Sequence, residues 1–125
     1  MTTNGLYAFY GSLRRGMENY LHYQDGLEYL YSLRLQGFRV YSLGPYPAAV
    51  KTGNQSHSMV VEVFRISKRE VAQSIHELEI NAGYYFDTLT IAGEQVGIYL
   101  FKSCENYREV SSGDWVRFFR KNAQL

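Results

Sequence analysis

The sequence predicts an α+β fold in which mostly antiparallel strands form a curled sheet or small barrel with a helix packed on it. Three observations support this prediction. Several segments alternate apolar and polar residues with the period of two that is typical of strands. Only one segment has a strong helical pattern, with a start signal, an apolar stripe and a stop signal. A late pair of strand-like segments is joined by a short glycine-containing turn, as in an antiparallel hairpin.

The beginning of the chain predicts short strands separated by turns. Leu6–Tyr10 is an apolar run that ends at Gly11, which is typical of a buried strand entering a turn. Residues 14–24 show a weak helical spacing. Alternation across residues 28–43 predicts two strands separated at Gly37, because a glycine inside a strand pattern marks an interruption.

The two prolines of the chain define the next turn, Gly44–Pro47, because each of them fixes its own φ angle. A brief strand is predicted at Ala48–Val50, and a polar loop covers residues 52–56. The segment Met59–Ile66 is largely apolar at both alternating sets of positions, which predicts a strand buried on both faces.

The strongest local signal predicts a helix from Ser67 to near Glu79. Ser67 and Glu70 have the spacing of a capping box, in which each side chain bonds the backbone N–H of the other residue. Asn81-Ala82-Gly83 then supplies residues that tolerate the left-handed conformation common at helix ends. The apolar stripe that we expect to be buried consists of Val71, Ile75 and Leu78.

Two more strands are predicted after this helix, at Tyr85–Ile91 and Val96–Lys102, with residues 92–95 as the turn of a hairpin. No element is predicted for the tail, residues 111–119. Its aromatic run, Trp115–Phe119, offers a dimer contact as a purely structural interpretation.

Length and composition favour one globular domain over residues 1–125. The chain is 46% hydrophobic and 16% aromatic, so intrinsic disorder is excluded as a description of the whole. A formal charge of +1 lacks the basic excess of a nucleic-acid binder, and no apolar run is long enough for a membrane span. Cys104 is the single cysteine, which excludes an internal disulfide. We therefore expect a cytoplasmic protein without nucleic-acid or membrane partners.

A candidate anion site follows the first strand. Where the strand stops at Gly11-Ser12, successive backbone N–H groups can form a nest that binds a negative charge. An ordinary strand-to-loop turn is the simpler interpretation of these residues taken alone. The neighbouring Arg14 and Arg15 offer either an anion contact or solvated loop charges.

Glu79 is the candidate acid or base. It lies at the end of the predicted helix, four residues after Ile75, so its side chain points near the buried face. A carboxylate is unfavourable at a helix C-terminus, and this one either turns into water or occupies a cavity that raises its pKa. The three histidines, His22, His57 and His76, lack the spacing of metal ligands, so we predict no metal site.

These candidates fall within an ordered set of short motifs. The segments are Tyr10–Gly16, Gly44–Val50, Val61–Phe64, Ile75–Glu79 with Tyr85, Ile98-Tyr99 and Ser112–Trp115. Together they resemble the gamma-glutamylcyclotransferase-like family, also called the AIG2-like family. The resemblance runs in order from about residue 6 to residue 116. Each motif is short, but the ordered set is specific for the family.

The resemblance implies a small mixed, mostly antiparallel β-barrel with one or two flanking helices and a cavity. It implies an enzyme that cyclises a γ-glutamyl amine or peptide to 5-oxoproline and releases the free amine. Glu79 takes the role of general acid and base, and neither a metal nor a cofactor is required. The substrate-binding residues that it implies are Tyr10, Gly11, Ser12, Leu13, Tyr85 and Tyr99.

The chain departs from the family pattern at three positions. Ile80 stands where glycine is usual, Asp87 where an arginine is usual, and His76 where an aspartate is usual. The retained Glu79 favours an enzyme. Ile80 and Asp87 favour the alternative, a non-catalytic protein that binds a small molecule in the same cavity. Either function is compatible with a monomer or a homodimer.

Overall fold

A computed structural model describes residues 2–123 of the chain. The strands are β1 (Leu6–Phe9), β2 (Glu28–Gln36), β3 (Phe38–Ser42), β4 (Pro47–Lys51), β5 (Ser58–Arg65), β6 (Tyr85–Ile91), β7 (Glu94–Leu100) and β8 (Arg108–Glu109). The helices are α1 (Glu18–Tyr23), α2 (Arg69–Asn81) and α3 (Trp115–Ala123), and a single 3₁₀ turn at Gln24–Gly26 follows α1. None of the helices in the described part of the chain is both long and apolar enough to cross a membrane.

The strands form two sheets, and hydrogen bonds link one sheet to the other. The main sheet has the order β2-β5-β1-β7-β6, and the smaller sheet has the order β4-β3-β8. Among these pairings only β1 with β7 is parallel. The N–H of Phe101 donates to the carbonyl of Ala49 at 2.9 Å, which joins the end of β7 to β4. The α+β class and the mostly antiparallel pairing are confirmed. The strands do not close into one continuous barrel. Three helices flank them, whereas one or two were predicted.

The centre of the main sheet is β1, which is buried at all four positions because both of its faces are covered. Leu6 and Ala8 point into a core shared with the smaller sheet and α3. Tyr7 and Phe9 point into a second core shared with α1 and α2. The period of two along a strand therefore sends alternate side chains into different cores. The loop that follows β1 starts from this firmly packed strand.

The strands predicted from the sequence are all present, with ends within two residues of the predicted ones. The separation of β2 from β3 at Gly37 is confirmed, and Gly37 has a φ of +91°. The hairpin turn is shorter than predicted, because β7 begins at Glu94. It consists of Ala92 and Gly93, both at positive φ, as in the turns that match the twist of a hairpin.

Helix α2 differs from its prediction at both ends. It begins at Arg69 with Lys68 as the N-cap residue, and no side chain caps it, so the predicted capping box at Ser67 is wrong. It continues past Glu79 to Asn81. Ile75 is buried as expected, but Leu78 is 38% exposed. The expectation for Leu78 fails because the last turn of the helix faces a cavity and not the core.

The predicted tail contains helix α3. Asp114 is its N-cap, and the carboxylate Oδ1 accepts the N–H of Arg117 at 3.3 Å. Trp115 and Val116 are buried in the core of the chain, so these two residues are not available as a surface contact. The signal for this helix was present as a capping aspartate followed by apolar residues at helical spacing.

Gly113 closes the connection between β8 and α3 against β5. Its φ is +69°, and its carbonyl accepts the N–H of Val60 at 2.8 Å. A Cβ atom built at this position would lie 2.1 Å from the carbonyl oxygen of Ser58. Backbone oxygen cannot move aside as a flexible side chain can, so only glycine fits here.

Candidate active site

A cavity of about 250 Å³ opens at the C-terminal end of β1. Its walls are the loop of residues 10–13, the last turn of α2, the turn of residues 43–47 and one aromatic residue of β7. The residues predicted from the sequence that it brings together are Tyr10, Gly11, Ser12, Leu13, Glu79 and Tyr99. The loop of residues 10–13 and the last turn of α2 therefore lie side by side, although 65 residues or more separate the loop from Glu79 in the sequence.

The loop after β1 presents backbone N–H groups that no protein acceptor uses. Within residues 2–123, the N–H groups of Gly11, Ser12 and Leu13 donate no hydrogen bond. The loop is held through its other atoms, since the carbonyl of Ser12 accepts the N–H of Tyr20 at 3.0 Å and the Ser12 Oγ accepts from Asn19 Nδ2 at 2.7 Å. The residues that carry these N–H groups line the cavity, and successive unused N–H groups can bind a carboxylate or an oxyanion, as in other backbone nests.

An ion-pair network around the buried Glu62 of β5 holds the same loop in place. Glu62 of β5 is only 4% exposed, and its Oε2 accepts from Arg14 Nε at 3.1 Å. Its Oε1 accepts from the backbone N–H and the Nε of Arg15, at 2.9 and 3.1 Å. Arg14 also donates to Asp114 at 2.7 Å, and Arg15 lies over the ring of Tyr29. The arginine pair therefore anchors the loop through Glu62, with Arg14 buried and the side chain of Arg15 partly exposed.

The Arg14 contact also sets the charge state of Asp114. Burial by itself would raise the pKa of this carboxyl, but the hydrogen bond and the charge of Arg14 outweigh burial and lower the pKa below its usual range. Asp114 is therefore ionised at neutral pH, and it caps α3 while pairing with the loop.

Gly11 is required by its neighbour across the cavity wall. A Cβ atom built there would lie 2.6 Å from Cγ of Pro47, whose ring packs against the glycine. The carbonyl of Pro47 accepts a hydrogen bond from the Tyr84 hydroxyl. A side chain at position 11 would therefore displace Pro47 and with it the opposite wall, so its effect would not be confined to ligand approach.

Tyr10 lines the cavity, and its hydroxyl makes two hydrogen bonds that join neighbouring strands. The hydroxyl donates to the carbonyl of Tyr99 at 2.7 Å and accepts the N–H of Ala49 at 3.0 Å. These two bonds tie β1, β4 and β7 together beneath the cavity. Burial raises the pKa of this hydroxyl well above its ordinary value, and the neighbouring Tyr84 and Glu79 raise it further, so it remains protonated.

Among residues 2–123, Glu79 is the one charged side chain that lines the cavity. No protein group in residues 2–123 donates a hydrogen bond to its carboxylate, which keeps part of its surface open to the cavity. Burial raises the pKa of Glu79 from about 4.5 to about 7. A carboxyl with such a pKa exchanges protons readily at neutral pH, which suits general acid and base catalysis.

Tyr84, and not the predicted Tyr85, lies in the cavity beside Glu79. The last turn of α2 ends in a Schellman motif, in which the N–H of Tyr84 donates to the carbonyl of Glu79 and the N–H of Gly83 to that of Ile80, both at 3.1 Å. This motif reverses the chain at Gly83, whose φ is +100°, and sets Tyr84 against the helix. The predicted helix stop at Gly83 was the signal that could have identified residue 84.

Tyr99 reaches the cavity from β7, and helix α2 holds its hydroxyl. That hydroxyl is 2.8 Å from Nδ1 of His76, one turn before Glu79 on the helix. Burial is the main reason why the pKa of Tyr99 is raised above its ordinary value. His76 is thus a partner of an aromatic cavity residue, and within residues 2–123 no group of three or more His, Cys, Asp and Glu side chains could hold a metal ion.

None of the three departures from the family pattern lines the cavity, and His76 meets it only through the hydroxyl of Tyr99. Ile80 is 43% exposed on the outer side of α2, and Asp87 accepts a hydrogen bond from the N–H of Thr88 on β6. Neither residue lines the cavity. The charge reversal at Asp87 therefore does not place a second carboxylate beside Glu79.

The raised pKa of Glu79 predicts how the stability of the protein depends on pH. The folded state holds the proton more tightly than the unfolded state, whose Glu79 titrates near 4.5, so this contribution is fully present below pH 4.5 and is lost as the pH rises through about 7. We expect the melting temperature of the wild type, measured relative to Glu79→Gln, to fall between pH 4.5 and pH 7.5. A difference that stays constant across this range would contradict a buried, desolvated Glu79.

Comparisons with known proteins show the family of the chain. The sequence profile of the family described as "Gamma-glutamyl cyclotransferase, AIG2-like" matches residues 7–117. The gamma-glutamylcyclotransferase family protein YtfP of Escherichia coli K12 is 29% identical over 109 residues, which cover 86% of this chain and 92% of YtfP.

Solved structures of similar fold come from bacteria and archaea. The solution structure of ytfP from E. coli has a TM-score of 0.71 and 26% identity, covering 91% of this chain and 98% of that one. The uncharacterized protein PH0828 from Pyrococcus horikoshii has a TM-score of 0.79 and 24% identity, covering 95% and 96% of the two chains, a similarity of fold. The ordered motifs, the cavity that they form and the matching profile lead to one conclusion: the chain belongs to the gamma-glutamyl cyclotransferase, AIG2-like family.

Proposed function

We propose that the protein cyclises γ-glutamyl amines or peptides to 5-oxoproline and releases the free amine. The observation that carries the proposal is one cavity whose lining includes a carboxylate and a loop with three N–H groups, none of which has a hydrogen-bond partner among residues 2–123. Membership of the family supports the reaction class. The chemistry of the cavity supports the roles of the individual residues.

Ring closure is the step that the cavity favours. The α-nitrogen of a γ-glutamyl group and its own γ-carbonyl carbon close a five-membered ring, so the reaction is intramolecular and needs orientation and a proton path. At neutral pH the α-amine is an ammonium ion without a free electron pair. A base inside the cavity must remove one proton before attack.

Glu79 is the base that we assign to this role. Its pKa of about 7 leaves a substantial fraction ionised at neutral pH, and its oxygens have no protein donor in the described residues. The carboxylate takes one proton from the α-ammonium, and the amine then forms the C–N bond of the lactam. As the bond between the γ-carbon and the departing nitrogen breaks, Glu79 returns the proton to that nitrogen, then takes the second proton from the ring nitrogen and passes it to the released amine. The lactam therefore keeps one N–H, and the amine leaves as an ammonium ion. No water is consumed.

The loop after β1 is the group that we assign to the developing charge. The γ-carbonyl oxygen becomes an oxyanion in the tetrahedral intermediate, and fixed N–H groups stabilise such a charge without reorganising. The network of Glu62 with Arg14 and Arg15 supports this role, because it holds the loop rigid before the substrate arrives. Neither step is assigned to a metal or a cofactor.

The direct test is the release of 5-oxoproline. The purified protein is incubated with a panel of γ-glutamyl amides, γ-glutamyl amino acids and γ-glutamyl peptides, and 5-oxoproline is quantified by chromatography. We expect release from at least one class above the spontaneous rate, with one free amine formed per 5-oxoproline. Binding of panel members with no release from any of them would favour the non-catalytic binding protein instead.

A further inference from the structure

The cavity has no charged group left for the departing amine. Glu79 is its one charged side chain, and in the proposed function it faces the α-ammonium of the γ-glutamyl group. The remaining anionic part of that group is the α-carboxylate. The α-carboxylate and the γ-carbonyl oxygen together take the free N–H groups of Gly11, Ser12 and Leu13.

Two tyrosines and one asparagine of the cavity already use donor groups within the protein, whereas the neutral hydroxyl of Tyr46 has no hydrogen-bond partner among residues 2–123. The hydroxyls of Tyr10 and Tyr84 donate to the carbonyls of Tyr99 and Pro47, and Asn19 Nδ2 donates to Ser12 Oγ. A donor that already has its acceptor gives little to a second ligand group. What remains within the lining is neutral.

The basic residues closest in sequence to the cavity loop do not fill this gap. Arg14 is 7% exposed and divides its donors between Glu62 and Asp114. Arg15 pairs with Glu62 and lies over the ring of Tyr29. Neither lines the cavity, so neither guanidinium receives a carboxylate carried by a ligand there.

Aromatic and aliphatic side chains border the same cavity and remain accessible without a ligand. Tyr46 is 47% exposed and Leu78 38% exposed, and Leu43 lines the cavity beside them. Exposed apolar surface at a concave site is typical of a surface that a ligand covers. A group leaving from this side of the γ-carbonyl contacts carbon and not charge.

We propose that the amine released by this protein is neutral apart from the reacting nitrogen and carries an apolar or aromatic chain. This inference rests on the proposed function and narrows its substrate class. Amino acids and peptides, whose carboxylate would enter the cavity with the departing nitrogen, are then poor leaving groups. Diamines are poor as well, because the one carboxylate of the cavity already faces the α-ammonium.

Two matched pairs of substrates test the proposal. γ-L-Glutamyl-phenethylamide and γ-L-glutamyl-L-phenylalanine differ by one carboxylate, and γ-L-glutamyl-butylamide and γ-L-glutamyl-putrescine differ by one ammonium. We expect kcat/KM for 5-oxoproline release to be about tenfold higher or more for the neutral member of each pair, because an unpaired charge loses hydration without compensation. Equal values, or a preference for either charged member, would overturn the proposal.

A positive charge introduced at the edge of the cavity tests the position of the departing group independently. Leu78→Arg places a guanidinium at the cavity edge, and Ile80→Arg places the same group on the same helix away from the lining. We compare kcat/KM for γ-L-glutamyl-L-phenylalanine with kcat/KM for γ-L-glutamyl-phenethylamide. Leu78→Arg should raise this ratio by about fivefold or more, because the new guanidinium then attracts the carboxylate of the phenylalanine. Ile80→Arg should leave the ratio unchanged. A ratio unchanged in Leu78→Arg would count against the assigned position of the departing group.

The binding of the same four compounds to Glu79→Gln separates this inference from the proposed function. If the wild type releases no 5-oxoproline, the proposed reaction fails, but the order of dissociation constants still decides the inference. Tighter binding of the two neutral compounds supports a neutral leaving group, and tighter binding of a charged compound rejects it. Turnover with a preference for the charged members would reject the inference and keep the reaction.

Discussion

Replacing Glu79 by glutamine is expected to lower kcat for 5-oxoproline release by roughly 10²–10⁴-fold, with KM changed much less. Glutamine keeps the size of the side chain but cannot accept a proton from the α-ammonium. Binding depends on the loop and the apolar walls, which the substitution leaves in place. Because the pKa of Glu79 is about 7, kcat/KM of the wild type should also fall below pH 7, and this acidic limb should vanish in the variant.

Glu77→Gln is the matched control for this experiment. Glu77 lies two residues earlier on the same helix, is exposed and pairs with Gln73, so the variant has the same change of charge outside the cavity. It should retain wild-type kcat and the wild-type pH profile. Full turnover by Glu79→Gln, with the pH profile intact, would remove Glu79 from the mechanism.

The largest loss of stability is expected at Gly113. Gly113→Ala places a Cβ atom 2.1 Å from the carbonyl oxygen of Ser58, at a residue whose φ is +69°. Left-handed strain costs about 1–2 kcal/mol and the overlap with fixed backbone about 1–3 kcal/mol more, so we expect a loss of about 3 kcal/mol in the free energy of unfolding. Urea denaturation followed by circular dichroism measures this loss.

Gly93→Ala separates the two causes. Gly93 has a φ of +80°, but a Cβ atom built there meets no atom within 4 Å. This variant carries the left-handed strain alone and should lose about 1–2 kcal/mol. If both variants lose the same free energy, the contact between Gly113 and β5 is looser than the structure indicates.

Strand positions were predictable because they depend on local patterns. The period of two, the interruption at Gly37 and the prolines of Gly44–Pro47 act over a few residues, and the structure follows them. Helix ends were less predictable. The capping box at Ser67 had the right residue types, but the chain leaves β5 in a direction that makes Lys68 the cap position.

The meeting of the loop and Glu79 in one cavity could be expected from the ordered family motifs and not from the spacing of residues. The partners of Glu62 illustrate why. A glutamate on an otherwise apolar strand predicts a buried partner, but whether that partner is Arg14, Arg15 or another base depends on the pairing of β1 with β5. Tyr84 was missed because one residue of difference at the end of α2 decides which tyrosine enters the cavity.

The placement of β1 has a consequence for vectorial synthesis. This strand and the loop after it are synthesised before their partners Glu62, Tyr99 and Asp114, the last of which follows Arg14 by 100 residues. A nascent chain that has already exposed the loop and Glu79 still lacks the helix whose cap holds Arg14. A chain shortened before residue 114 would therefore contain every proposed catalytic group but lack one of the two carboxylates that hold Arg14.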